Sequence, residues 1–300
     1  MRAAHLLPRG LWRLAKDSTM PHVLLRNGDW QRDLPDHRDF APTSNPIRRA
    51  LRRLRPPGKD DRDVAQVDWR EFCPPVAEQQ PFSTNVAEAC IAMVQYFERR
   101  ASGRLVDPSR AFVDKNARRL IGGGSGGVSL RAMLKGMVRF GLPPETQWPT
   151  TPANMTAEPP AFAYSFAREF EKVRYCRLDG PDCSPSESLG NLRRFVAAGF
   201  VCVLGFPLSN SVSKCADIPF PTLYDSIQGG RAAAVVGYDD ERRIRSDKGA
   251  LLIRVTWGCQ WGEDGYGWLP YAYVHRKLAV DIWTLMKRDW LRSGEFLLPE

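Results

Sequence analysis

The chain lacks any apolar run near the ~18 residues that a membrane-crossing helix requires, so no transmembrane segment is expected. Residues Met1 to Met20 lack the continuous apolar core of a secretory signal, because Arg9, Arg13 and Lys16 interrupt it. Histidine is scarce, at four in 300 residues. The seven cysteines show no metal-ligand spacing, so no metal and no other cofactor is expected. Their odd number implies at least one free thiol. There are no internal repeats.

What is present is ordinary for a soluble globular protein: 43% hydrophobic and 26% charged residues. A length of 300 suffices for one two-lobed domain or two small ones. Net charge is +9, concentrated toward the front, and an acidic partner is therefore possible.

The stretch Gln79 to Arg100 organises the rest. It opens with a Pro-marked loop ending in Ser83, Thr84 and Asn85, the usual helix N-caps. Val86, Ala89, Cys90, Met93, Val94 and Phe97 then follow at helical spacing and make one apolar face. The start of such a buried helix suits a nucleophile, because its dipole and free N–H groups favour negative charge and depress a thiol's pKa.

Residues 1–62 read as a basic, Arg- and Pro-rich arm. Leu6, Leu7, Leu11, Leu14 and Ala15 interleave with basic residues in one amphipathic pattern. In a second, Asn45 as N-cap and Pro46 at the first helical position open a helix that Pro56-Pro57-Gly58 stops. Ile47, Ala50, Leu51 and Leu54 form its apolar side; Arg48, Arg49, Arg52, Arg53 and Arg55 form the other. These five arginines are the candidate partner-binding residues. A protein or peptide partner is expected, with nucleic acid or anionic lipid as the lesser alternatives. The alternative role is a surface helix packed on its own domain.

After the central helix, Asp107 to Phe112 reads as a turn into a second helix that runs to about Leu120, and Leu130 to Phe140 reads as a third. Between them lies a Gly-rich loop, Gly122 to Gly127, with no Lys-Ser/Thr after it, which disfavours a phosphate-binding loop. Leu189 to Ala198 reads as a helix, and Phe200 to Phe206 as a buried strand.

Several motifs resemble the papain-like (C1-type) cysteine peptidases. Val67-Asp68-Trp69-Arg70 is similar to the start of the mature domain. Gly-Tyr-Asp at 237–239 follows Gly230-Arg231-Ala232-Ala233-Ala234-Val235, where the family has its Gly-His-Ala-Val stretch. Trp257-Gly258, Trp261-Gly262 and Gly265-Tyr266 match the family's double Trp-Gly with Gly-Tyr, the most specific motif in the chain. The resemblance spans about residues 66–286. It implies an α+β, papain-like two-lobed fold with a basic N-terminal extension: a helical lobe over 63–155 and a β-rich, barrel-like lobe over 156–300. Residues 1–62 show no match to the family's long helical propeptide.

The resemblance also implies where the chemistry should be. Gln79 matches the oxyanion Gln, but the nucleophile position six residues on is Asn85. Arg231 stands at the general base, and Val255 where an Asn orients that base. Arg stays protonated at any working pH, an amide is no nucleophile, and Val offers no hydrogen bond. The triad is degenerate, which implies a pseudopeptidase serving as a binding or structural subunit. The alternative is a peptidase or acyl-transferase with a rearranged site built on Cys90 or Cys259 and His275. Gly126 and Gly127, whose backbone pairs with substrate in the family, line the expected cleft with Gly230, Trp257 and Trp261. Arg231 and Asn85 should face each other across its floor, either holding a carboxylate or plugging the site. Phe82 replaces a family cysteine that is disulfide-bonded in secreted members, so a cytoplasmic setting is expected.

Overall fold

The computed structural model describes residues 30–58, 64–76, 84–124, 126–167 and 173–299. The amphipathic pattern before residue 30, Gln79 and Phe82 lie outside the described residues. The architecture is α+β and papain-like. At its centre runs α2 (Asn85–Ser102), whose residues are small or apolar nearly all round; accordingly twelve of them are buried, from Asn85 to Glu98. Gly103 ends it in the left-handed conformation, φ 70°, with its N–H on Arg99 O.

On one side of α2 lie α3 (Arg110–Leu120) and α4 (Leu130–Phe140). Both start on a serine cap: Ser109 Oγ accepts from Phe112 N, and Ser129 Oγ from Ala132 N. Two short helices follow, α5 (Pro152–Thr156) and α6 (Ala161–Phe166). Tyr164 of α6 packs edge-on against Phe112, and its hydroxyl reaches Asn116 Oδ1 of α3. The helical layer therefore continues to Ala167, beyond the change of lobe expected at 155.

The other side is a seven-stranded sheet. Its strands are β4 (Val173–Arg177), β5 (Cys202–Ser209), β6 (Ile227–Ile244), β7 (Asp247–Arg254), β8 (Tyr266–Pro270) and β9 (Val280–Lys287), in the order β4-β9-β5-β6-β7-β8, all antiparallel. The seventh, β2 (Gln66–Asp68), pairs with β6 between residues 237 and 239. Helix α7 (Pro185–Ala197) opens on a full capping box between Ser184 and Glu187. The short α8 (Ala272–His275) and α9 (Arg288–Leu291) flank β9.

The described part of the arm is built into this body. Ser44, one residue before the expected Asn45, stands at the N-cap position of α1 (Asn45–Leu51), although its hydroxyl accepts from Ala41 N rather than from the helix, and Pro46 lies inside the first turn. Ile47, Leu51 and Leu54 are buried in the same core as α2 and the sheet. Further upstream β1 (Trp30–Gln31) pairs in parallel with β3 (Val128–Ser129), directly after the Gly-rich loop.

Candidate functional site

The site follows from where α2 begins. Asn85 is its first residue and is 3% exposed. β6 crosses this helix end, and Ala232 N donates to Asn85 Oδ1 at 3.2 Å. Arg231, the preceding residue on β6, is 3% exposed and sits opposite Phe206 of β5. Val255 follows directly on β7, whose Arg254 pairs with Ala234 of β6; its N–H donates to Gly265 O, and its side chain is buried. The three residues expected at the triad positions therefore lie at one helix start and on or just after the two strands beside it.

Beside them lies a cavity of about 340 Å³, bordered by Asn85, Glu88, Val76, Arg110, Arg254 and Val255 among others. No cysteine or histidine lines it among the described residues. Its cations are committed to structure. Arg110 Nε is 3.1 Å from Glu88 Oε1, and Arg254 donates to Pro74 O, Pro75 O and Tyr266 Oη. Burial raises the Glu88 carboxyl's pKa more than neighbouring Arg110 lowers it.

Next to Arg231, at Gly230, the sheet is covered by the chain itself. The Trp30 indole stacks where β5 and β6 each carry a glycine. A Cβ on Gly205 would come within 1.9 Å of Trp30 Cε2, and one on Gly230 within 2.7 Å of Trp30 Cε3. Glycine at both places makes the slot. Gly126 lies close to Gln31, where an added Cβ would sit 3.7 Å from its Nε2, and Gly127 is buried. The edge expected to receive a substrate backbone thus adjoins the chain's own residues 30–31. Trp257 and Trp261 pack edge to face at 4.4 Å, and Trp261 Nε1 donates to Ser213 O, so this pair braces a loop of the β-rich lobe.

A buried polar network fastens the segment that carries Trp30. Asp33 N donates to Asp281 Oδ2, while Asp33 accepts from Trp283 Nε1 at 2.9 Å and from Arg131 N at the start of α4. Arg177 bridges Asp281, Asp179 and Asp39, and Arg131 holds Asp39 as well. Burial, then the adjacent Asp33 carboxylate, push the Asp281 carboxyl up to about 7. Nothing local in the sequence marks Trp30 as a residue that packs on β5 and β6. The one available signal is an aromatic beside a run of aspartates, Asp29, Asp33, Asp36 and Asp39, within the basic arm.

The other candidate nucleophiles are placed apart. Cys90 is fully buried in the core, and burial pushes its thiol far up. Cys259 is exposed in the loop between Trp257 and Trp261, and His275 is exposed at the end of α8. All seven cysteines are free thiols. Among the described residues no three metal-ligating side chains cluster, and no helix is long and apolar enough to cross a membrane.

No family model matches the chain. It is 30% identical over 189 residues to an uncharacterized peptidase C1-like protein of Acanthamoeba polyphaga mimivirus, a match spanning 60% of this chain and 59% of that relative. Among solved structures it is similar to xylellain, a cysteine protease from Xylella fastidiosa, with TM-score 0.69 and 28% identity over 88% of this chain and 97% of that one. The bromelain protease of Ananas comosus shares the fold, with TM-score 0.54 and 17% identity over 75% of this chain and 99% of its own.

Proposed function

Because this chain belongs to the papain-like, C1-type cysteine peptidase family, we propose that it is a catalytically inert member acting as a protein- or peptide-binding subunit. One observation carries this reading. At the start of α2, where the family needs a thiolate, Asn85 holds the backbone of β6 through its side-chain oxygen. The neighbouring Arg231 cannot accept a proton, and Val255 cannot orient a base. Triad residues act as a unit, so loss of one commonly removes several orders of magnitude in rate. Here all three are replaced. The retained core, sheet and helix start leave a shaped surface without a reaction to perform.

The test is a thiol-reactive peptide probe together with a broad peptide library at neutral pH, with and without reductant. Neither labelling of a cleft thiol nor hydrolysis is expected. Turnover abolished by Cys90→Ala or Cys259→Ala would establish instead a peptidase with a relocated nucleophile.

A further inference from the structure

We propose that the groove between α1, the start of β4 and α9 is a docking site for an extended acidic peptide. The groove encloses about 1140 Å³ and is independent of the cleft at Asn85. Six arginines line it: Arg49, Arg53 and Arg55 from the arm, Arg174 from β4, and Arg288 and Arg292 from α9 and the turn after it. All six are exposed, and no carboxylate lines the groove among the described residues. Asp289 and Glu295 are close in sequence but do not line it. The many ion pairs elsewhere on the molecule, such as Arg242 with Asp217 or Arg193 with Asp240, have no counterpart among these six within the described residues. Clustered cations without counter-charges repel one another, and an anionic ligand relieves this.

The floor is apolar. Leu54, Met286, Leu291 and Phe296 are all buried beneath the arginines. β4 is an edge strand; its outer side is engaged at Arg177, whose N–H donates to Phe40 O, whereas its Val173–Arg174 end opens into the groove. An edge strand, an apolar floor and arginine walls together fit a peptide chain carrying both carboxylates and apolar side chains. Other polyanions fit less well. Single-stranded nucleic acid needs exposed aromatics on which bases stack, and the ring here, Phe296, is 1% exposed. A membrane surface is flat, and this surface is concave. The arrangement also sorts the arm's own cations: Arg48 and Arg52 are exposed but do not line the groove.

The experiment is fluorescence anisotropy on the full chain with a labelled oligoglutamate peptide interspersed with leucines. Parallel titrations use oligo-dT and phosphatidylserine vesicles. Arg288→Glu with Arg292→Glu should weaken peptide binding about ten-fold or more, because reversed charge repels the ligand. Arg48→Glu with Arg52→Glu, the same charge change off the groove, should weaken it much less. The groove positions are exposed, so folding should persist; circular dichroism checks this, and Arg288→Gln with Arg292→Gln serves if it does not. In the wild type, peptide binding should slow amide exchange in β4 and α9. No peptide binding, equal losses for the two double variants, or groove-dependent binding of oligo-dT or vesicles tighter than that of the peptide would overturn the proposal.

Discussion

The two ends of α2 hold buried polar side chains of opposite character. At the first residue, Asn85 is uncharged and hydrogen-bonded to the backbone of β6. Near the last turn, Glu98 is a carboxylate, 2% exposed, that accepts from Lys287 Nζ and Trp290 Nε1 at 3.0 Å and from Arg104 Nη2 at 2.7 Å. Burial alone would raise the Glu98 carboxyl; hydrogen bonds from Arg104, Lys287 and Trp290 outweigh it and hold its pKa below the ordinary value. One helix thus carries, at the position expected for a nucleophile, an amide bound to the neighbouring strand and, near its other end, a fully paired charge. Reaction chemistry and structural charge are separable even on a single element.

The largest effect expected is a gain at the Asn85 end. Asn85→Cys, Arg231→His and Val255→Asn together should raise acyl transfer from an activated ester by roughly 10³-fold or more. The helix start should also keep the new thiol ionised below its free value of about 8.5, so iodoacetamide should alkylate it quickly under mildly acidic conditions. A new thiol that resists alkylation in the folded triple variant would show that position 85 is not the nucleophile site.

At the other end a loss is expected. Glu98→Ala removes the buried carboxylate that Lys287, Trp290 and Arg104 all bind and should cost ~3–5 kcal/mol in urea unfolding. Glu98→Gln, which keeps an acceptor, should cost less. Equal stability of Glu98→Ala and wild type would mean that the pairing holds nothing together.

Next in size is the slot that Trp30 fills. Trp30→Ala empties the slot over Gly205 and Gly230 and should cost ~2 kcal/mol, below the full core value because the ring is only partly buried. Protease nicking between residues 30 and 40 should rise in parallel. The triple variant should accept peptides better when combined with Trp30→Ala; no difference would mean that the indole does not obstruct entry.

The smallest effect is set by pH. The Asp281 carboxyl is raised, to about 7 from 3.8, so the folded chain binds its proton more tightly than the unfolded chain does. Its contribution is complete below the unfolded pKa and is lost as pH rises through the folded one. Between about pH 6 and pH 8 the wild type should therefore lose about 2 °C in Tm that Asp281→Asn does not lose. A slope unchanged in that variant would assign the effect to another group.

What the sequence made legible was local. The helix read over Leu130 to Phe140 has those bounds, and Asn85, Arg231 and Val255, picked from separate motifs, lie at one helix start and on the strands beside it. What it hid was assembled from distant residues. Trp30 reaches glycines at 205 and 230, and Asp33 reaches Asp281 across 248 residues. The arm's arginines were visible as a run, but the groove needs Arg174, Arg288 and Arg292, which no periodicity connects to them. The helix bearing that run also packs Ile47 and Leu51 into the common core, which composition alone leaves open.

The bond between Asp33 and Asp281 fixes an order of assembly. A chain is made from its N-terminus at ~5–20 residues per second, so Asp281 leaves the ribosome on the order of tens of seconds after Asp33. Until then β9 does not exist and the carboxylate that accepts Asp33 N–H is missing. The segment bearing Trp30 is synthesised before the body it covers, yet it is among the last parts to be fastened.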